Sequence, residues 1–302
     1  MIEYVQFFPT LRCNKSCAFC FSQGLFYHDF PEERIGRFIA ILRENKINSL
    51  DILGGEPFLY KSLNKLVKKA IEKDIEVTIS TNGTFINELK NFLKTFDKGS
   101  VKVGVSINES PAEDLLQIIK DCKLWIKSVI SKESLPDVNL LEFAKTSGIK
   151  YYFIYMDALK ERDLKNSMPF YEFMNKIKEY ENLFPQIKPV FCKGFIGGNS
   201  NYRCPAGTEK ITIMSDGSVY PCYLLARFEE YKIGNIFKDS LSEILSSPKL
   251  EIFKTYDGNI CHNKICNYYE ECRSGCIAHS IIHYGTHRKP DPRCNLKKEE
   301  KR

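Results

Sequence analysis

Short apolar runs alternate with amphipathic helical stretches over the first 190 residues of this 302-residue chain. Six strand–helix units follow one another, the first pairing 4–8 with 33–45 and the last pairing 150–155 with 170–183. Successive units of this kind form parallel sheets with right-handed crossovers, so the pattern predicts an α/β fold. Because a closed barrel needs eight units, we expect a partial (β/α)6 TIM-like barrel that is open on one side. Its functional residues should lie at the carboxyl ends of the strands.

The character of the chain changes near residue 190. Beyond this point the helical period fades and cysteines become frequent, and the runs 211–213 and 218–220 flank a hairpin-type turn, Ser215-Asp216-Gly217. We therefore predict two domains, a barrel core over residues 1–190 and a small Cys-rich α+β domain over residues 191–302.

The meaning of the twelve cysteines depends on the compartment of the protein. No apolar run approaches the ~18 residues of a membrane span, and the N-terminus lacks the basic and apolar segments of a secretory signal. We therefore expect a cytoplasmic protein without a membrane partner. Thiols in the cytoplasm stay reduced, so a chain this rich in cysteines should bind metal, with Cys122 expected to be a core residue instead. The formal net charge of +6 is spread along the chain and does not indicate a nucleic-acid partner.

Three cysteines directly follow the first predicted strand. Cys13, Cys17 and Cys20 have the spacing C-x3-C-x2-C. Three thiolates on one short loop can ligate three irons of a [4Fe–4S] cluster, which leaves the fourth iron open to a substrate or cofactor. The alternative is a helix that turns these positions toward a core, and the polar residues between the cysteines disfavour it.

The cysteine loop resembles the radical SAM superfamily, whose motif C-x3-C-x-aromatic-C follows the first barrel strand and whose aromatic position is filled here by Phe19. The resemblance continues after the second strand at Gly54-Gly55-Glu56-Pro57, where the backbone and Glu56 would receive the amino group of S-adenosylmethionine. Asn82 and Ser106, at the ends of the third and fourth strands, match positions where relatives contact the ribose and carboxylate of this cofactor. For both residues the alternative is an ordinary strand-end turn.

The second cysteine region resembles the SPASM extension of radical SAM proteins, a seven-cysteine motif that holds two auxiliary [4Fe–4S] clusters. The resemblance implies an inner cluster held by Cys204, Cys222 and Cys276, and an outer cluster held by Cys261, Cys266, Cys272 and Cys294. One departure is the four-residue gap after Cys261, where the family usually has two residues. The inner cluster lacks a fourth thiolate, and Cys192 is a candidate for it. The alternatives for Cys192 are a structural thiol or an iron left open.

A structural zinc site is the competing interpretation of this region. It would use some of the four histidines His262, His279, His283 and His287, of which the last three are spaced by four residues and would stack on one helix face. The cysteine spacing matches the SPASM pattern more closely than it matches a zinc motif.

The resemblance implies an enzyme that cleaves S-adenosylmethionine reductively at a [4Fe–4S] cluster and uses the resulting 5′-deoxyadenosyl radical on a ribosomal peptide or protein side chain. An alternative is the tailoring of a haem- or quinone-type cofactor precursor, and another is a redox or scaffold protein without radical chemistry. The expected partners are the peptide or protein substrate and a reductant such as flavodoxin or ferredoxin. No catalytic base is assigned. Tyr155, Asp157 and Arg203, near strand ends, either contact substrate or are structural.

Overall fold

The computed structural model describes residues 2–97, 99–196 and 202–294. The chain divides into two compact units: the first comprises Met1–Lys127 and Ala206–Glu251, and the second comprises Ser128–Pro205 and Ile252–Arg302. Both units contain residues from either side of residue 190, and the sequence-based domain boundary there stays a prediction.

The first unit contains most of the sheet. Its strands are β1 (Tyr4–Phe8), β2 (Ser49–Ile52), β3 (Glu76–Thr81), β4 (Val101–Ser106), the first half of β5 (Trp125–Ile130), β8 (Lys210–Met214), β9 (Ser218–Tyr220) and β10 (Gly234–Asn235). They lie in the order β10-β9-β8-β1-β2-β3-β4-β5. Neighbours from β8 to β5 are parallel, and β9 is antiparallel to both β8 and β10. The predicted parallel sheet and the predicted hairpin are thereby confirmed.

Helices follow the first four strands of this unit, as the sequence pattern predicts. They are α1 (Ile35–Glu44), α2 (Leu63–Ile71), α3 (Ile86–Thr95) and α4 (Glu113–Cys122), and the short α8 (Leu241–Leu245) follows β10. Short 3-10 helices span Glu32–Arg34, Pro57–Leu59, Tyr223–Leu225, Glu229–Tyr231 and Pro248–Leu250.

The two faces of the strands differ in chemistry, which decides where a polar ligand can bind. Phe7 of β1 is fully buried, and its ring packs against Phe38 of α1 with centroids 4.4 Å apart. The next position on the opposite face is Gln6, which is in register with Asp51 of β2. Because side chains alternate along a strand, the helix-covered face is apolar and the other face carries polar groups.

The second unit contains the rest of β5, two further strands, and the Cys-rich segment. Its elements are α5 (Val138–Ser147), β6 (Tyr151–Tyr155), α6 (Glu161–Asn166), α7 (Phe170–Glu181), β7 (Ile187–Val190), α9 (Glu251–Lys254) except its first residue, α10 (Ile277–Tyr284) and a 3-10 helix at Pro292–Cys294. Strands β6 and β7 pair in parallel. Within the described residues, no helix combines the length and the apolar character that a bilayer crossing requires.

A buried ion pair and an aromatic cluster organise this second unit. The rings of Phe170 and Phe195 stack with centroids 4.2 Å apart. The Arg293 guanidinium donates to Asp291 at 2.7 Å and to the Met156 carbonyl at 2.8 Å, and both charged side chains are buried. Removing one partner of a buried pair leaves an uncompensated charge, so this contact should be essential for the stability of the unit.

We expect Arg293→Met to lower the free energy of unfolding by about 3–5 kcal/mol, because Asp291 would keep its buried charge without its cation. Chemical denaturation followed by circular dichroism measures this loss. Arg288→Met is the matched control, since Arg288 is exposed and five residues earlier in the same segment. An equal effect of the two substitutions would contradict the structural role given to the ion pair.

Candidate functional site

The three cysteines at positions 13, 17 and 20 lie in an irregular loop after β1. Residues 13–23, all within the described chain, form turns and no helix: the Cys20 N–H donates to the Cys17 carbonyl at 3.1 Å, as does the Gln23 side chain at 2.6 Å. The alternative of a helix with inward cysteines is therefore wrong. Cys13 is exposed, whereas Cys17 and Cys20 are half-buried. The pKa of the Cys17 thiol is raised, mainly by burial and to a smaller extent by the neighbouring Cys20.

The glycine pair after β2 lies against the segment that leads into this cysteine loop. The Gly55 N–H donates to the Thr10 carbonyl at 3.0 Å, and the Glu56 N–H donates to the Arg12 carbonyl at 2.8 Å. A Cβ atom on Gly54 would lie 2.5 Å from the Thr10 oxygen, and one on Gly55 would lie 2.2 Å from the Arg12 oxygen. Only residues without a Cβ permit this approach, so the two glycines hold the cysteine loop to the end of β2.

The Glu56 carboxylate is fully buried and connects this loop to the end of β3. One oxygen accepts from the Thr81 hydroxyl at 2.7 Å and the Phe58 N–H at 3.1 Å, and the other accepts from the Asn82 N–H at 2.7 Å. Burial raises the pKa of Glu56, and these hydrogen bonds oppose the rise. The observed role of Glu56 is to position the loop and the buried Pro57 beside it. A direct contact of Glu56 with a cofactor amino group stays a prediction.

The structure brings Asn82 to the cysteine loop. Its side-chain amide donates to Asn14 Oδ1 at 2.9 Å and to the Cys13 sulfur at 3.7 Å. The residues that precede Asn82 and Ser106 are paired in the register of β3 and β4, so these two predicted residues follow at the same edge of the sheet. Phe19 is half-buried within the cysteine loop. The predicted cofactor residues of the first unit thus gather around the ends of β1 to β4.

Four cysteines of the second unit line one cavity. They are Cys261, Cys266, Cys272 and Cys294, and the aromatic walls of the cavity include Phe170, Phe195 and Tyr268. The unusual four-residue gap after Cys261 therefore does not separate it from the other three. Burial raises the pKa of Cys272 to about 11 and also raises that of Cys294. Four thiols around one cavity are the donor set that a [4Fe–4S] cluster needs, so the residues fit this group.

A second group of thiols lies in the same unit. The sulfurs of Cys192 and Cys204 are 4.0 Å apart, which is within hydrogen-bond distance for sulfur. This contact is the main reason why the pKa of Cys192 lies well above its ordinary value, and the neighbouring Cys192 in turn raises the pKa of Cys276. Cys222 is buried in the first unit, just before the 3-10 helix at Tyr223–Leu225. Cys192 therefore accompanies two predicted ligands and is not an isolated thiol.

Comparison with known families shows what these two regions are. The family model described as the radical SAM superfamily matches residues 7–156, and the SPASM model, described as an iron-sulfur cluster-binding domain, matches residues 204–277. The chain belongs to the radical SAM superfamily. The predicted fold class, the predicted enzyme class, and the predicted [4Fe–4S] and S-adenosylmethionine cofactors are thereby confirmed.

Three relatives show which radical SAM proteins the chain resembles. The cysteine-type anaerobic sulfatase-maturating enzyme of Clostridium novyi (strain NT) is 26% identical over an alignment of 334 positions, gaps included. The alignment covers 88% of this chain and 85% of that protein. The antilisterial bacteriocin subtilosin biosynthesis protein AlbA of Bacillus subtilis (strain 168) is 25% identical over 79% of this chain, which spans 58% of AlbA.

The third relative, Streptococcus suis SuiB, is similar in fold. Its crystal structure with S-adenosylmethionine gives a TM-score of 0.77 at 18% identity, covering 98% of this chain and 77% of SuiB. The structure of SuiB with the precursor peptide SuiA gives a TM-score of 0.75 at 17% identity, covering 98% of this chain and 76% of SuiB.

The histidines of the radical SAM chain do not form the shared ligand face that the zinc interpretation predicted for His279, His283 and His287. His279 and His283 both contact the backbone of Ala158, whose N–H donates to His279 Nε2 at 3.0 Å and whose carbonyl lies 2.7 Å from His283 Nε2. His287 lies beyond the end of α10, and His262 is exposed. Across the described residues, His279 lies with Cys276 and Asp291 in a group that could hold a metal ion, and none of the other three histidines belongs to such a group.

The three residues considered for substrate contact differ in their surroundings. Tyr155 is buried, and its hydroxyl donates to the Met168 carbonyl at 2.7 Å. Arg203 is buried and donates to the carbonyls of Ser274 and His287, both at 2.7 Å. These two side chains are therefore structural. Asp157 is half-buried beside His279.

A polar strand face of the first unit was missed by the sequence analysis. Lys127 of β5 donates to the Ser80 hydroxyl at 2.6 Å, and it passes over Gly104, where a Cβ would lie 2.3 Å from the lysine Cε. Burial lowers the pKa of Lys127 and raises the pKa of Asp51. The alternation of apolar and polar residues in β5 was the available signal, because it assigns Lys127 to the face away from the helices.

We expect Gly55→Ala to lower the affinity for S-adenosylmethionine at least about tenfold, because its Cβ would force residues 10–12 away from the loop. Equilibrium dialysis with the anaerobically reconstituted protein measures this affinity. Gly36→Ala is the control: Gly36 lies in α1 with no atom near its added Cβ, so the change should be neutral or stabilising by about 0.5–1 kcal/mol. Wild-type affinity in Gly55→Ala would contradict the role of this close approach.

Proposed function

We propose that this radical SAM enzyme modifies a side chain of a ribosomally made peptide or of a protein. The observation that carries the proposal is similarity to a sulfatase-maturating enzyme over 88% of the chain, together with the Cys-lined cavity of the SPASM region. AlbA belongs to bacteriocin biosynthesis, and SuiB has been solved with a precursor peptide. Peptide or protein substrates thus recur among relatives that this chain resembles over most of its length.

In the proposed radical SAM site, Cys13, Cys17 and Cys20 would hold the cluster that binds S-adenosylmethionine. When bound, this cluster would supply the one electron for reductive cleavage of S-adenosylmethionine to methionine and a 5′-deoxyadenosyl radical. The residues proposed to hold and orient the cofactor are Phe19, Gly54, Gly55, Glu56, Pro57, Asn82 and Ser106. Support comes from their position at the ends of adjacent strands, where hydrogen bonds fix the loops to one another.

The proposed auxiliary sites use the eight remaining thiols of the C-terminal region. The inner set is Cys192, Cys204, Cys222 and Cys276, and the outer set is Cys261, Cys266, Cys272 and Cys294. The 4.0 Å separation of the Cys192 and Cys204 sulfurs supports Cys192 as the fourth inner ligand. In this proposal residues 1–190 are the radical SAM core, and residues 191–302 are the SPASM domain.

The electron for this chemistry should come from a protein reductant such as flavodoxin or ferredoxin. Cys13 is exposed, which leaves the cysteine loop accessible to such a partner. We propose a cytoplasmic location, because the twelve free thiols need a reducing compartment.

We expect Cys17→Ala to abolish formation of 5′-deoxyadenosine and to remove roughly one third of the bound iron, since one of three cubane sites loses a ligand. Iron analysis and liquid chromatography of anaerobic reactions with dithionite and S-adenosylmethionine measure both effects. Cys122→Ala is the matched control, because Cys122 ends α4 and belongs to neither cysteine region. Full cleavage activity in Cys17→Ala would refute the assignment of the site.

The substrate class has its own test. We expect a short peptide encoded beside the gene to change mass when it is incubated anaerobically with the enzyme, S-adenosylmethionine and dithionite, and we expect Cys17→Ala to leave it unchanged. Mass spectrometry of the peptide measures this outcome. Turnover of a free porphyrin- or quinone-type precursor instead would favour cofactor tailoring. The absence of 5′-deoxyadenosine with every substrate would favour a scaffold protein.

A further inference from the structure

His279 has a buried ring nitrogen that the proposed function does not use. The side chain lies in the first turn of α10, three residues after Cys276, and it is fully buried. Among the described residues, its Nδ1 atom has no partner that meets ordinary hydrogen-bond geometry. An unpaired polar atom in this position costs about 1–3 kcal/mol, so its surroundings must explain it.

The backbone of Ala158 determines which ring nitrogen carries the proton. The Ala158 N–H donates to His279 Nε2 at 3.0 Å, so Nε2 acts as an acceptor. A neutral imidazole has one donor and one acceptor nitrogen, and the proton is therefore on Nδ1. The Asp157 carboxylate, 3.5 Å from Nε2, lies beside a nitrogen that has no proton to donate.

Two acceptors lie near the imidazole of His279. A ring nitrogen of His279, the Cys276 sulfur and a carboxylate oxygen of Asp291 all lie within 4.8 Å of one another. The oxygens of Asp291 are saturated: one accepts from the Arg293 backbone N–H and Nε, both at 3.0 Å, and the other accepts from the Cys276 N–H at 3.0 Å and Arg293 Nη2 at 2.7 Å. The Cys276 sulfur is the acceptor that remains.

We propose that His279 donates a hydrogen bond from Nδ1–H to the sulfur of Cys276 and thereby raises the reduction potential of the inner auxiliary cluster. The inference rests on the proposed assignment of Cys276 as a ligand of that cluster. A donor to a ligand sulfur stabilises the more negative, reduced form of an iron–sulfur cluster, which makes reduction easier. His279 is thus a positioning residue that acts through Cys276.

Two substitutions separate the two hydrogen bonds of the imidazole. His279→Gln can place an amide oxygen near the Nε2 position, which keeps the acceptor for Ala158 and loses the donor to sulfur. His279→Asn can place an amide N–H₂ near the Nδ1 position, which keeps the donor and loses the acceptor. His283→Gln is the matched control, because His283 contacts the same Ala158 backbone one turn later.

The measurement is a redox titration followed by electron paramagnetic resonance in the Cys17→Ala background, where the auxiliary clusters remain. We expect His279→Gln to lower the equilibrium constant for reduction of one auxiliary cluster about tenfold. For one electron this is a shift of the reduction potential by ~59 mV to a more negative value. The other auxiliary cluster is the internal reference and should keep its potential. His279→Asn and His283→Gln should leave both potentials near those of the parent protein.

Unchanged potentials in His279→Gln, or a shift in His279→Asn instead, would overturn the inference and leave the proposed function standing. Loss of both auxiliary signals from the parent protein would overturn the cluster assignment as well. Hyperfine spectroscopy of protein labelled with 15N-histidine tests the contact without any substitution at residue 279. A weak nitrogen coupling to the inner cluster is expected, whereas no coupling, or the strong coupling of a ligated imidazole, would refute donation from His279.

Discussion

The close contact of two backbone stretches, residues 10–12 and 54–56, determines the geometry of the radical SAM site. The N–H groups of Gly55 and Glu56 donate to the carbonyls of Thr10 and Arg12, in the segment that leads to the first cysteine. The contact is possible because Gly54 and Gly55 lack a Cβ at positions where one would overlap a carbonyl oxygen. The cysteine loop is therefore held at the end of β1 by backbone bonds, to which the Asn14 side chain adds a hydrogen bond from Asn82.

The buried carboxylate of Glu56 extends this arrangement to a third strand. Because the carboxylate accepts from both Thr81 and Asn82, the end of β3 cannot move independently of the glycine loop. Burial raises the pKa of Glu56, and these hydrogen bonds oppose that rise only in part. A site that must bind a charged sulfonium cofactor is thus built on hydrogen bonds that are already satisfied within the protein, which is the condition for a preorganised site.

The elements that the sequence predicts well are those whose signal is local. Apolar residues recur every second position in strand β3 and every three to four positions in helix α2, because each element buries one face. In α2, for example, Leu66 and Val67 are fully buried. The C-x3-C-x2-C spacing is likewise contained within eight residues. Strands β7 and β10 were not predicted, because β10 is only the two residues Gly234–Asn235 and β7 contains Lys188 and Pro189, which interrupt its apolar run.

The hydrogen bonds around the two proposed cofactor regions join residues that are far apart in the sequence, and this is why the sequence did not predict them. Lys127 and Ser80 are 47 positions apart, and Ala158 and His279 are 121 positions apart. A cysteine motif specifies the identity of the thiol ligands, whereas the donors, acceptors and charges around each sulfur come from whichever segments the fold packs beside it. The helix spacing of His279, His283 and His287 suggested a shared ligand face, but the Ala158 backbone occupies one nitrogen of each of the first two rings. The same backbone contact assigns the ring proton of His279, so a residue that resembled a metal ligand in the sequence becomes a hydrogen-bond donor in the fold.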